Sequence, residues 1–451
     1  METQPLSLAA ALRLSKAPCV AFVGAGGKTS AMFRVAEELA PAVVTTSTHI
    51  GAWQASKATR HFIWAADEPM PDMEASLGQG ITLVTGPLNP EKRRCTNLTP
   101  GQMELLRQLA VFWALPLLIE ADGSRQKPLK APAGHEPAIP AFVDTVVVAA
   151  GLRGLQTPLN EENVHRPEIF GSLGGLQPGE AITALALARV LVDPAGGLKN
   201  IPASARRVAL LNQADTPEVQ AQAKEMEELL LSVFDAVIVS ALGAPQGLHP
   251  HPVIAVKENI GAVLLAAGAA SRYGQPKQLL DYHGQPFVRV VAETALKAGL
   301  SPVVVVCGAH GQAVSQALAG LPVIIVQNPD WQAGQSTSVR AGLSQLPHGT
   351  GGAIFLLADQ PQVSVELLRA LVERHSQDLP PVLAPYVFDQ RANPLLFDQV
   401  TFADMQTLTG DTGGRALFSK FSPRYLNWYD RRLLLDVDTP QDYTRLLESE
   451  A

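Results

Sequence analysis

The sequence is poor in cysteine, in charge and in long apolar runs. Only Cys19, Cys95 and Cys307 occur, widely spaced and with no Cys-x-x-Cys pair. That excludes a disulfide scaffold and a structural zinc site, and it suits a reducing compartment. Charged residues make up 17% of the chain and the net charge is −7. There is thus no overall basic footprint for nucleic acid, although a local basic pocket for phosphate stays open. Apolar runs such as 115–119 and 146–150 are far too short to cross a bilayer. The opening METQPLSLAAALRLSKAP lacks a cationic start, a long apolar stretch and a cleavage site. No secretory leader and no membrane partner are expected, and a cytoplasmic location follows.

The chain does have length and apolar content: 451 residues, 47% hydrophobic. That exceeds a single core and predicts two domains. No hydrophobic period crosses GAPQGLHPH at 243–251, which reads as a domain end or linker. A cut near Val256 gives an N-terminal domain over 1–256 and a C-terminal domain over 257–451. Strands alternate with helices on both sides, predicting an α/β fold with a parallel sheet in each half.

The C-terminal half is organised by VLLAAGAASRYGQPKQLL, 263–280. An apolar strand over 262–266 turns through Gly268 and runs on to Arg272 and Lys277. Small residues let backbone N–H groups approach phosphate oxygens, and two cations can neutralise charge at a reacting phosphorus. The loop lacks Gly-Lys-Thr and is not a Walker loop. A helix over 286–298 and strands over 303–307 and 323–326 are predicted next. In QNPDWQAGQSTSVRAGL, Asn328, Gly334, Ser336 and Ser338 precede and open a helix, where they can hold a base or phosphate or merely cap it. Asp359 follows a predicted strand over 353–357 and suits Mg²⁺. Asp436 and Asp438 are expected to close a last strand; alternation then lets at most one of them join Asp359. Between them lie RANPLLF, with Asn393, and LTGDTGGRALF, with Asp411 and Arg415. Arg415 can grip a phosphate or polar heterocycle, or pair with Asp411.

In the N-terminal half, a strand over 19–23 leads into GAGGKTS, 24–30. Gly24, Gly26 and Gly27 form the turn, Lys28 reaches phosphate, and Thr29 can hold Mg²⁺. Phe22 stands where the first glycine of a P-loop belongs, so the loop is a variant, of the kind found in Mur-ligase-like ATPases. TTSTHI places His49 at the end of a strand over 42–46. EADGS places Glu120 and Asp122 past a strand over 115–119, where they suit Mg²⁺ and water. Arg125, Lys127, Lys130, His135 and Glu136 follow in a Pro-rich ordered loop. A strand over 208–211 runs into NQAD, where Asn212 and Asp215 would read guanine as Asn-Lys-x-Asp does, although Gln213 replaces the Lys. A further strand is expected over 237–239.

Together, GAGGKTS, TTSTHI, IEADGSRQKPLKAPAGHEPAIP and LLNQAD resemble the YqeC-like accessory family of selenium-dependent molybdenum hydroxylases. The resemblance implies a nucleotide-binding domain whose reaction is not established. With the loop reading above, a P-loop-like site for ATP or GTP with Asp122 at its metal is expected, and an apo molybdenum hydroxylase as client. LAAGAASRYGQPKQLL, NPDWQAGQSTSVRAGL, LLADQPQV, RANPLLF, GDTGGRA and DVDTPQDY resemble the molybdenum cofactor cytidylyltransferase family. That implies a Rossmann-like (GT-A-like) nucleotidyltransferase domain joining CMP from CTP to molybdopterin-bound molybdenum, with release of pyrophosphate. By motif, Leu265, Ala266, Ala267 and Gly268 would cradle the nucleotide and Arg272 and Lys277 its phosphates. Asp359 and Asp438 would hold Mg²⁺, and Asn393, Asp411 and Arg415 would face the pterin substrate. LAAG resembles the CTP-using branch. Two departures are visible, Gln335 for a usual Met and Asn393 for a common His. Another small-molecule nucleotidyltransferase, or a cofactor chaperone, stays open as an alternative.

Overall fold

The computed structural model describes residues 5–243, 252–268, 273 and 275–448. They fall into two compact units, Met1–Lys257 and Glu258–Ala451.

The first unit is built on a nine-stranded sheet. From one edge, its order is Val253–Lys257, Ala236–Ser240, Arg206–Asn212, Thr145–Gly151, Cys19–Gly24, Leu117–Glu120, Ala42–Thr46, Ile81–Thr85 and Arg60–Ile63. Every neighbouring pair is parallel except the first, which is antiparallel. Ala42–Thr46, Thr145–Gly151 and Ala236–Ser240 are buried at every residue. Such strands carry apolar residues on both faces because helices must cover both. Crossover helices include Lys28–Glu38, Pro100–Phe112 and Pro217–Leu231. Thr99 caps the second through its hydroxyl, with Pro100 at the first helical position. A small antiparallel sheet of His49–Gly51, Arg94–Thr96 and Leu88–Asn89 stands apart from the main one.

The second unit has an eight-stranded sheet. Ile260–Ala266 lies between two parallel neighbours that come later in the chain, Val303–Cys307 and Gly352–Leu357, with Ile324–Gln327 beyond the former. The connections leaving the carboxyl ends of the adjacent strands Ile260–Ala266 and Gly352–Leu357 therefore run in opposite directions and open a crevice there. Helix Phe287–Lys297 buries Phe287, Val288, Val291, Ala292 and Ala295, one stripe at helical spacing.

The second unit departs from the expected architecture in two ways. Its sheet is mixed: Leu395–Asp398 pairs antiparallel with Gly352–Leu357 and with Val382–Val387. A short return from Val382–Val387 makes these antiparallel, since parallel neighbours need a long crossover. The Asp436 and Asp438 segment is no strand. A 3-10 turn at Arg431–Leu434 precedes it, and the last strand is Arg424–Asn427. Strand alternation does not apply there, and both carboxylates turn to the same region.

Candidate functional site

In the second unit, the carboxyl end of Ile260–Ala266 opens into a cavity of about 670 Å³. Leu265, Ala266, Ala267 and Gly268 form one wall. Gln278, 5% exposed, donates its amide to the carbonyl of Gly268 at 3.1 Å and pins this turn. Sequence reasoning passed over Gln278, whose only signal was its place beside Lys277. Gly334 and Ser338 line the opposite side. Gly334 has φ +114°, and a Cβ there would meet the carbonyl of Gly410 at 2.3 Å, so only glycine lets the two loops touch. Ser336 is not at the cavity surface: it is fully buried and donates to the carbonyl of Gly410 at 2.7 Å. Asn328 is likewise internal, its amide donating to Thr337 and Ser338 hydroxyls. Asp411 lines the cavity and accepts a long bond from the Gln335 backbone, 3.4 Å.

The charged centre is Lys277 between two carboxylates. Its Nζ lies 2.6 Å from Asp438 and 3.6 Å from Asp359. Burial raises the Asp359 carboxyl above the aspartate range; Lys277 opposes this, while Asp436 and Asp438 add to it. Asp436 accepts from Gln360 at 2.9 Å. An adjoining cavity of about 350 Å³ shares Leu265, Gln335, Asp359 and Asp438 with the first and adds Asn393, Arg415 and Asp436. Phe355 and Phe397 give it an apolar floor. Asp359 and Asp438 thus stand on the wall common to two chambers. Arg272 lies outside the described residues.

In the first unit, the loop after Cys19–Gly24 borders a cavity of about 700 Å³. Gly27 has φ +119°, and a Cβ there would strike the Asn212 amide at 2.3 Å. Thr29 donates its hydroxyl to Glu120 at 2.7 Å, and both line the cavity with Lys28. The Lys28 ammonium is 4% exposed and 3.4 Å from both Glu120 and Asp122. Burial pulls its pKa down, but the two carboxylates outweigh that and hold it above the ordinary value.

Three expectations for this loop are corrected. Asp122 does not line this cavity and acts as a brace: it accepts from the Gly24 backbone at 2.9 Å and from Lys130 at 2.7 Å. Asn212 does not face a base. It donates to the Gly26 carbonyl and accepts from Ser240 and Leu242, fastening the glycine loop. Asp215 is engaged by Arg153 at 2.9 Å, and the cavity wall there is Gln213. Lys130 continues to Glu136 at 2.9 Å, and Arg166 grips Glu136 with both terminal nitrogens at 2.9 and 3.0 Å. The distinctive EADGS, KAP and HEP residues thus form a buried ion ladder behind the loop. Burial first, then Arg94 and Lys92, keep the His49 pKa below its ordinary value, so His49 lines the cavity uncharged at neutral pH. Sequence reasoning missed Trp53, Lys92, Arg93, Arg94 and Arg153, which also line it; the run EKRR was the available signal. Among the described residues no group of three or more His, Cys, Asp or Glu is arranged to hold a metal. Among them, too, no helix is long and apolar enough to cross a membrane.

A family model described as YqeC protein matches residues 20–168, and one described as MobA-like NTP transferase domain matches 262–425. An uncharacterized protein YqeC of Escherichia coli K12 is 32% identical over 258 residues, covering 56% of this chain and 96% of its own. A nicotine blue oxidoreductase of Paenarthrobacter nicotinovorans is 35% identical over 204 residues, 42% of this chain and 96% of that one. A purine catabolism protein PucB of Bacillus subtilis is 32% identical over 202 residues, 40% and 92%. The chain therefore belongs to the YqeC family through its N-terminal half and to the MobA-like NTP transferases through a Rossmann-like nucleotidyltransferase domain in its C-terminal half.

Proposed function

We propose that the C-terminal unit is a molybdenum cofactor cytidylyltransferase, moving CMP from CTP to the terminal phosphate of Mo-molybdopterin with release of pyrophosphate. The observation that carries this is the placing of Asp359 and Asp438 on the wall between two cavities. The larger suits CTP against Leu265–Gly268; the smaller, with Phe355, Phe397, Asn393 and Arg415, suits a flat polar heterocycle. The acceptor phosphate is already anionic and needs no general base. Lys277 neutralises charge on the α-phosphate as the bond to pyrophosphate breaks. Asp359 and Asp438 offer hard oxygen donors with excess negative charge, which fits Mg²⁺. When bound, that ion would neutralise phosphate charge and orient the leaving group. Gly334, with the Ser336 tie to Gly410, fixes the far wall and so the approach line.

In the N-terminal unit, the Lys28, Thr29 and Glu120 arrangement supports a P-loop-like site for a purine nucleotide with Mg²⁺. Its role would be delivery of the finished cofactor to an apo molybdenum hydroxylase in the cytoplasm. The test of the transfer is pyrophosphate release by the full chain with CTP, GTP or ATP, with and without Mo-molybdopterin. Cofactor-dependent release with CTP far above GTP is expected. Equal rates with GTP overturn the CTP assignment, and release independent of the cofactor overturns the acceptor.

A further inference from the structure

We propose that the first unit's cavity reads the terminal phosphate of a nucleoside triphosphate through the Lys92–Arg93–Arg94 hairpin, and so separates triphosphate from diphosphate. The inference rests on the nucleotide reading of that cavity. Cations line it on every bank: Lys28, Lys92, Arg93, Arg94, Arg125, Lys127 and Arg153, against Glu120 alone among the described residues. Two of these are already compensated, Lys28 by Glu120 and Asp122 and Arg153 by Asp215. Among the described residues the other five have no carboxylate partner. Five like charges around one cavity repel each other, and a polyanion relieves that repulsion.

The two banks divide the work. The N–H groups of Gly24, Ala25 and Gly26 are bonded within the protein, so the glycine-loop bank offers the first backbone N–H groups of helix Lys28–Glu38 and a lysine whose charge is largely spent on its own carboxylates. The hairpin offers the uncompensated charge. It is presented firmly, because Ile50 and Cys95, 1% and 2% exposed, pair directly beneath it, and Gly51 pairs with Arg94. Lys92, Arg93 and Arg94 themselves are exposed, so replacing them leaves the core intact. Gln213 adds a buried side-chain oxygen with no hydrogen-bond partner among the described residues, on the same cavity wall.

The test is calorimetric titration of the full chain, with Mg²⁺, against ATP, ADP, GTP and GDP. It compares the wild type, the double variant Arg93→Ala/Arg94→Ala, and Thr29→Ala. The wild type should prefer triphosphate by about tenfold or more, the scale of a charge-assisted hydrogen bond. The double variant should lose that preference, keep its diphosphate affinity, and leave CMP transfer unchanged. Added salt should erode the preference. A double variant that retains the triphosphate preference, or a wild type that has none, overturns the inference while the nucleotide reading stands. If Thr29→Ala changes the binding of no nucleotide, the nucleotide reading falls and the inference with it.

Discussion

The Lys277 ammonium lies 2.6 Å from a carboxylate oxygen of Asp438, a residue 161 positions further along the chain. The contact joins the segment that follows Ile260–Ala266 to one near the unit's end. Asp359, 3.6 Å from the same ammonium, completes a centre drawn from three separate stretches. Under the proposed function, a nucleotide entering with its cation would take Lys277 for its phosphates and leave the carboxylates to the metal.

Lys277→Ala should therefore strike catalysis and spare the fold. Loss of one preorganised donor at a phosphoryl centre corresponds to about 2.7–4 kcal/mol, roughly a hundred- to thousandfold in kcat. Steady-state pyrophosphate release measures the first and thermal unfolding the second. Transfer within a few fold of wild type would remove Lys277 from the reaction.

Asp359 makes a pH-dependent prediction. Its pKa is raised, chiefly by burial, with Asp436 and Asp438 adding and Lys277 opposing. A raised carboxyl pKa means that the ionised form costs folding free energy. The stability this group contributes is present below its unfolded pKa and is lost as pH rises through the folded value. Asp359→Asn should then be slightly more stable than wild type at pH 7.5, with the difference shrinking towards pH 4. The side chain is 38% exposed, so water screens the effect and the gain stays below about 1 kcal/mol. Transfer should be abolished. An Asn variant that melts lower than wild type at pH 7.5 would contradict this.

Much of the second site was legible because its chemistry sits at strand carboxyl ends, where an apolar run stops at a polar residue. Asp359 and the Leu265–Gly268 turn follow that pattern. LLLDVD, with Asp436 and Asp438, looks like an apolar strand ending; only tertiary packing bends it into a turn and leads both carboxylates to one place. Asn212 and Asp122 have the side-chain types of ligands, yet a buried Asn or Asp also satisfies backbone groups, and spacing does not separate the two roles. The Lys92–Arg94 hairpin left only the run EKRR as a signal, a weak one, since strands of two or three residues carry no period and surface charge is common.

Glu136, 12% exposed between Lys130 and Arg166, should matter for stability. Burial pushes its pKa up, but Arg166 and Lys130 together bring it from 4.5 down to about 2. A depressed carboxyl pKa contributes stability above the unfolded value, and that stability is lost as pH falls through the folded one, here between about 4.5 and 2. Glu136→Gln should cost the first unit about 3 kcal/mol at pH 7, the energy of such a shift, and less near pH 3. Urea unfolding at both pH values measures this. Equal losses at both would show that the charge is not the cause.

The last prediction concerns Thr29 and Lys28, whose substitutions should differ in kind. Lys28 is sealed between Glu120 and Asp122, with 4% of its side chain exposed. Lys28→Ala leaves Glu120 without its ammonium and Asp122 with Lys130 alone. Removing one member of a buried ion pair costs about 3–5 kcal/mol, so lost nucleotide binding in that variant would be confounded by lost structure. Thr29 is the cleaner probe. Among the described residues its hydroxyl bonds Glu120, at 2.7 Å, and a net hydrogen bond to a charged group contributes about 1.5–3 kcal/mol. Thr29→Ser keeps that bond and should keep Mg²⁺-dependent nucleotide binding. Thr29→Val keeps the shape, loses the hydroxyl, and should bind nucleotide weakly and without a Mg²⁺ response. Calorimetric titration with and without Mg²⁺, beside a thermal melt of each variant, separates the two effects. A Val variant that binds as tightly as wild type and still responds to Mg²⁺ would take Thr29 out of the metal's shell and leave its bond to Glu120 a purely structural one.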